Sequence, residues 1–366
     1  MEKRRFEALD AFRGLCALAV VMYHLLLVGS ITEFHFFRGS FIFVEFFFVL
    51  SGFVLAHGYG FRENLKFLPF MEARFFRLYP LHLFMFLVFF VLELAKLIAY
   101  KTGGFIFSNE PFTNFFSLRE IIPNLLLIQS WVPFAKHLSF NAPSWSISVE
   151  FYMYALLFLS VIIFKSYKIL SWGFISIIAF IALYLELYFP TLSVLRGVSC
   201  FFGGATIYSL YRLFSDKIKV SFVIGTLLES ILILCVYFNV SYGFEYKEIV
   251  TPLLFCLVVL FFSFEFGGIS YILKSKVPQL IGKLSYSIYM THYAIIFCLT
   301  SIAMVGKKLT GIEMVKTIGG SRTLDFGSTI NNNLVVIFIL FIVISVSNLT
   351  YKYIELKGQE LYKKKT

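Results

Sequence analysis

Apolar residues in this chain run in long blocks with polar residues and charges gathered between them. Ten blocks are about the 20 residues that a helix needs to cross the hydrocarbon core of a bilayer. They occupy 9–28, 41–59, 78–100, 145–164, 169–189, 195–213, 222–242, 250–266, 285–305 and 333–353. The stretch 121–132 is apolar but too short to cross, and Pro123 and Pro133 bracket it. It predicts a re-entrant or interfacial element in an otherwise exposed loop. The pattern as a whole predicts an all-α polytopic membrane protein with about ten transmembrane helices. No internal repeat, low-complexity linker or shift in composition divides the chain. A single unit over 1–366 is therefore expected. The two longest loops, 103–143 and 307–330, are too small for a separate catalytic module, so any chemistry belongs to the bundle.

Composition strengthens this picture. Of 366 residues, 59% are hydrophobic and 14% charged, against about 25% charged in soluble domains. Mean hydropathy is +0.83. No soluble interior is large enough to hide so much apolar surface, which excludes a cytosolic enzyme, a disulfide scaffold and a disordered chain. The net charge of +11 would suggest nucleic acid in a soluble protein. In a membrane protein, basic cytoplasmic loops produce such an excess, and anionic headgroups or phosphate-bearing substrates can use it; no nucleic-acid partner is expected.

The basic residues also set the orientation. With the N-terminus inside, cytoplasmic segments carry 20 Lys and Arg and the opposite side 10. This bias, with an even number of spans, predicts both termini in the cytoplasm. The basic start MEKRRFEALDAFRG has no small-residue cleavage site after its apolar stretch, so it reads as a retained first span. The five cysteines lie in apolar runs without metal or disulfide spacing and read as small core residues.

Charged groups within spans are expensive and become functional candidates by default. The first span holds Asp10, Arg13 and His24. Arg13 and His24 are 11 residues apart, three helical turns, which puts them on one face with about 16 Å of rise between them. Asp10 lies three residues before Arg13 on the same side. In the second span, Ser51-Gly52 suits close helix approach, Glu45 lies near the outer end and His57 near the inner end. Arg74 and Arg77, three apart in MEARFFRLYPLH, would face the same way from a short helix beneath the membrane. Their planar guanidiniums suit phosphate oxygens, or simply anchor the next span. Glu150 lies five residues inside Trp145, itself suited to an interfacial belt, and a carboxyl at that depth needs a partner or a task. His292 falls about seven residues inside the cytoplasmic edge of the ninth span. Glu186, Glu229 and Glu265 have no recognisable context. No nucleophile elbow, phosphate-binding loop or zinc-spaced set appears, and no metal site is expected.

Taken in order, these segments resemble the acyltransferase-3 family of integral membrane acyltransferases, such as those that O-acetylate bacterial surface polysaccharides. The matching residues are Arg13-x10-His24, FFFVLSGFVL from Phe46 to Leu55, Arg74-x-x-Arg77-x-x-Pro80, SWSISVEFYMY around Glu150, GKLSYSIYMTHY around His292 and the looser YIELKG near the C-terminus. The likeness is to short members without an appended hydrolase-like domain. It implies an acyl-coenzyme A donor, with acetyl the expected group, on the cytoplasmic side of a bacterial inner membrane. It also implies a carbohydrate or glycolipid hydroxyl as acceptor on the other side. Acetyl-CoA would be a substrate, with no tightly bound cofactor.

Under this resemblance Arg74 and Arg77 would meet the coenzyme's phosphates, and the pantetheine arm would carry the thioester to His24. His24 would act as base toward the acceptor hydroxyl or as a transient acyl carrier. Glu150 would orient His24 or grip acceptor hydroxyls. Arg13 would bind the donor or stabilise negative charge, since a guanidinium does not deprotonate. Asp10, Ser51, Trp145 and His292 complete the expected binding set. A proton-coupled transporter or flippase of a lipid-linked saccharide, with His24 and Glu150 as a relay, is the rival, although the chain lacks the repeat symmetry of that class. A non-catalytic membrane protein that retains only the fold is a third alternative.

Overall fold

The computed structural model describes residues 4–103, 109–311, 313–318 and 321–365. Lys3, counted above among the cytoplasmic cations, lies outside them, as do residues 104–108 of the 103–143 loop. The helices, in chain order, are α1 (Glu7–His24), α2 (His35–Gly39), α3 (Phe43–Leu55), α4 (Phe67–Gly103), α5 (Ile121–Leu125), α6 (Ser144–Phe164) and α7 (Lys168–Tyr184). They continue with α8 (Leu192–Phe214), α9 (Phe222–Ser241), α10 (Lys247–Phe264), α11 (Gly268–Leu273), α12 (Lys276–Thr310), α13 (Thr329–Thr350) and α14 (Leu356–Lys365). Every apolar block of the sequence falls on one of these helices.

Seven helical stretches among the described residues are long and apolar enough to cross a membrane. The chain is an integral membrane protein. Helices α1 and α8 are not among the seven, although both were expected as spans. Each buries more than half its residues inside the protein, and helices shielded from lipid can carry charge and small polar residues that lipid-facing ones cannot.

Small residues let the inner helices approach closely, the means by which membrane helices pack when lipid is as apolar as leucine. A Cβ on Gly14 of α1 would lie 2.5 Å from the Gly282 backbone of α12, and one on Gly204 of α8 would lie 1.9 Å from the Val49 carbonyl of α3. Gly204→Ala is therefore expected to force α3 and α8 apart, costing about 1–3 kcal/mol as overpacking does. A lowered midpoint of thermal unfolding in detergent is the readout, and an unchanged midpoint would contradict this packing.

Three features depart from the sequence expectation. First, α4 begins at Phe67 rather than near position 78. Arg74 and Arg77 thus ride on the first turns of one 37-residue helix that runs through Pro80, not on a separate short helix. Second, the 307–330 loop contains an antiparallel hairpin, β1 (Val315–Ile318) and β2 (Ser321–Leu324). Its end clamps the chain after α1: Val28 N–H donates to Leu324 O at 3.0 Å and Leu324 N–H to Leu26 O at 2.9 Å. Third, Glu45 does not reach an interface. It is completely buried and ion-paired with Arg196 of α8.

The segment after Glu120 does pack into the bundle as irregular backbone shielded by protein. His82 Nε2 lies 2.9 Å from Asn124 O, and Ser148 Oγ donates to Leu127 O at 2.6 Å. Non-helical backbone is tolerated at membrane depth only where protein satisfies it in this way. Glu229 and Glu265 have structural partners. Glu229 accepts from Gly267 and Ser270 N–H at the start of α11, and Glu265 accepts from Ala8 N–H at the start of α1. The cysteines are unpaired; Cys16, Cys200 and Cys256 are buried, whereas Cys235 is exposed rather than in the core.

Candidate active site

Side chains from α1, α3, α4, α6 and α12 converge on one cavity of about 100 Å³. Its charged lining consists of Arg13, Arg74 and Arg77 against a single carboxylate, Glu150. Three guanidiniums facing one carboxylate give the space a positive potential, which suits an anionic ligand.

Each arginine is held differently. Arg13 donates from Nε to Ser285 Oγ at 2.7 Å and from Nη2 to Gly282 O at 3.3 Å, so α12 fixes its plane. Arg74 donates to the Tyr59 hydroxyl at 2.7 Å and lies over that ring, while its Nε is buried without a hydrogen-bond partner among the described residues. Tyr59 comes from a single π turn, Ala56–Gly60, that follows α3. Arg77 makes no hydrogen bond or ion pair with any described residue, yet it lines the cavity. Such a guanidinium keeps all of its donors available to a ligand.

On the facing wall, Glu150 Oε1 accepts from Ser51 Oγ and from the Tyr154 hydroxyl, both at 2.5 Å. The cavity therefore joins Arg13, Ser51, Arg74, Arg77 and Glu150, five residues that the sequence analysis singled out separately. Glu150 does not touch His24, so the expectation that it orients that ring is not met. The carboxylate is turned instead toward two hydroxyls and the arginines.

Asp10 stands outside the cavity lining. It accepts from Arg5 Nε at 2.7 Å and lies 3.8 Å from Arg13, which links it to the cavity. Trp145 likewise lies outside the lining. Its ring packs on Phe48 and carries the Arg196 guanidinium at 5.3 Å, which ties it to the buried Glu45–Arg196 pair.

The histidines form a second centre farther along α1. His24 is the last residue of α1, and its Nδ1 lies 3.0 Å from Val20 O and 3.2 Å from His292 Nε2. His292 Nδ1 lies 3.2 Å from Ile288 O. His292 is completely buried and lies outside the lining of the arginine cavity. His24 is only partly buried. Tyr289 connects the two centres. It lines the arginine cavity, accepts a hydrogen bond from Ser146 Oγ at 3.0 Å, and its ring centre is 6.0 Å from that of His292.

Several cavity residues were missed in the sequence. Ser285, Tyr286 and Tyr289 line it from α12, and Ser146 and Tyr154 from α6. The signal was present, because Ser285, Tyr289 and His292 recur at i, i+4 and i+7, one face of a helix. Glu355 was also passed over. It is buried on a second π turn, Tyr351–Glu355, and accepts from Ser287 Oγ at 3.1 Å; such turns are frequent at functional sites.

Comparison with known proteins bears on this geometry. Residues 6–352 match the model of the acyltransferase-3 family, described as an acyltransferase domain. Acyltransferase MdmB of Streptomyces mycarofaciens is 33% identical over 138 residues, which is 37% of this chain and 30% of that protein. Protein 2 in the picA locus of Rhizobium radiobacter is 41% identical over 102 residues, 26% of this chain and 46% of that one. The Bacillus subtilis (strain 168) protein named "Putative peptidoglycan O-acetyltransferase YrhL" is 28% identical over 361 residues, 86% of this chain and 52% of that one. The chain thus spans about half the length, or less, of these curated relatives. No solved structure matches it significantly. With the family model covering nearly the whole bundle and every helix that lines the cavity, the chain belongs to the acyltransferase-3 family of membrane acyltransferases.

Proposed function

We propose that this protein moves an acyl group, acetyl in the first instance, from cytoplasmic acyl-coenzyme A to a hydroxyl of a carbohydrate or glycolipid across a bacterial inner membrane. In this scheme the chain crosses ten times as a single domain, with both termini in the cytoplasm. The observation that carries the proposal is Arg77, a guanidinium that makes no hydrogen bond or ion pair among the described residues and shares a cavity with Arg13 and Arg74. Phosphate oxygens are the ligands best matched to such planar, multi-donor groups. The orientation expected from the positive-inside bias would put these arginines on the side where the coenzyme is found.

His24 lies about 16 Å farther along α1. The pantetheine arm would extend past Tyr289 to bring the thioester to it. The acceptor oxygen attacks the thioester carbonyl while His24 takes the hydroxyl proton. The carbon–sulfur bond breaks, and the proton passes to the departing thiolate to give free coenzyme A. Glu150, tied to two hydroxyls in the cavity, would hold the donor end rather than the acceptor. A relative named as a peptidoglycan O-acetyltransferase supports a polymeric carbohydrate acceptor.

The test is purified protein in lipid nanodiscs with radiolabelled acetyl-CoA and bacterial envelope glycan as acceptor. Thioester consumption coupled to label in the glycan supports the proposal; saccharide movement without label transfer would favour a transporter. Arg77→Ala is expected to raise the KM for acetyl-CoA by about 10- to 100-fold, the worth of one or two charge-assisted hydrogen bonds, with a smaller effect on kcat. An unchanged KM would remove the phosphate assignment.

A further inference from the structure

His24 and His292 come from helices 268 residues apart in sequence, yet one nitrogen of each lies 3.2 Å from the other. Only one placement of protons satisfies every neighbour. His292 Nδ1 faces the Ile288 carbonyl at 3.2 Å, and a carbonyl accepts only, so Nδ1 carries the hydrogen. In a neutral imidazole the other nitrogen is then an acceptor, which makes His292 Nε2 an acceptor toward His24. His24 Nδ1 in turn faces two acceptors, Val20 O at 3.0 Å and His292 Nε2 at 3.2 Å, so it must carry a hydrogen shared between them. The reverse arrangement would set lone pairs against both backbone carbonyls. The lone pair of His24 therefore resides on Nε2, which has no hydrogen-bond partner among the described residues.

We propose that His292 is a positioning residue that fixes His24 in the tautomer whose Nε2 lone pair is free to take the acceptor's proton. This rests on the acyl-transfer function proposed above and assigns a residue to it. The backbone carbonyls of α1 and α12 work as a relay of orientation: Ile288 O sets His292, and His292 with Val20 O sets His24. The proton moves from the acceptor hydroxyl to His24 Nε2, the ester bond forms as the thioester bond breaks, and Nε2 returns the proton to the thiolate. During that cycle the imidazolium keeps Nδ1–H donated to the same two acceptors, so the ring need not turn between steps. The identity of the nitrogen partner on any charged or neutral ring is set by the hydrogen bond that the other nitrogen makes. His292 is completely buried and lies outside the lining of the arginine cavity, so the role assigned to it runs through the ring of His24.

The experiment uses full-length protein in nanodiscs, labelled with 15N-histidine, with the His24 signals assigned from a His24→Gln sample. Nitrogen spectra of wild type are expected to show His24 with Nδ1 protonated and Nε2 unprotonated near neutral pH. In His292→Phe, which keeps a ring but offers no acceptor, a mixture of tautomers is expected. Acetyl-CoA consumption should fall by about 100-fold, the scale of a misplaced catalytic group, at unchanged KM. His292→Gln, whose amide oxygen accepts a hydrogen bond, is expected to recover most of the turnover. Wild-type His24 protonated on Nε2 would overturn the proposal. So would a full rate in His292→Phe, or a raised KM with equal loss in both variants. The expected tautomer in a wild-type protein that consumes no acyl-CoA of any chain length would sink acyl transfer and leave the histidine pair standing, so the two failures are separable.

Discussion

His24→Ala is expected to lower acetyl-CoA-dependent acyl transfer by about 10³-fold, within the range that a positioned general base contributes. His24 ends α1, and its backbone exit is clamped by the hairpin through Val28 and Leu324. The substitution removes the imidazole without disturbing a buried polar network larger than its contact with His292. Folding should therefore survive, as checked by elution and thermal midpoint of the purified variant. The KM for acetyl-CoA should change little, because the arginine cavity does not include residue 24. A single-turnover assay separates two routes. Label retained on wild type without acceptor and absent from the variant would indicate an acyl-His24 carrier; loss of rate without any labelled protein would indicate base catalysis. A variant that still transfers label at the wild-type rate would remove His24 from the chemistry.

Arg196→Ala is expected to destabilise the protein by about 3–5 kcal/mol, the cost of leaving a buried charge without its partner. Arg196 Nε donates to Glu45 Oε1 at 2.5 Å, and Glu45 is completely buried with its second oxygen lacking a hydrogen-bond partner among the described residues. Removing the guanidinium strands the carboxylate between α3 and α8, the helices that also bring Ser51 and the Gly204 contact into place. Low yield and a lowered unfolding midpoint in detergent are the expected results. The double variant Glu45→Gln with Arg196→Gln is expected to recover part of the loss, because neutral amides avoid an unpaired charge. If the double variant were no better than Arg196→Ala, the pair would not be the source of the effect.

These expectations draw unequally on sequence and on structure. Arg13, Arg74, Arg77, Ser51 and Glu150 were each visible in the sequence, because a charge or a hydroxyl within an apolar run is conspicuous. Their meeting in one cavity was not visible, since Ser51 and Glu150 are 99 residues apart. The same holds for the two carboxylates whose surroundings the sequence misjudged. Under the resemblance Glu150 was expected to orient His24 or to grip acceptor hydroxyls, but position along a helix says nothing about which helices are neighbours. Glu45 was read as lying near the outer end of its span, and only the packing of α3 on α8 joins it to Arg196.

Much of the architecture was legible because the bilayer imposes it. Lipid offers no partner to a backbone amide, so each long apolar run has to become a helix, and every such run is one here. The face shared by Arg13 and His24 also follows from the helical repeat alone. The tertiary structure decided what that repeat cannot reach. It brought α12 against α1 through Gly14 and Gly282, and with it Ser285 to Arg13 and His292 to His24. It left Arg77 in the cavity without a hydrogen bond or ion pair to any described residue and turned Glu150 toward hydroxyls. The physical reason is that hydrophobic periodicity records which solvent a residue meets. The partner of a buried polar group is chosen by helix packing across hundreds of residues, a choice made by small contact surfaces that leave no periodic mark in the chain.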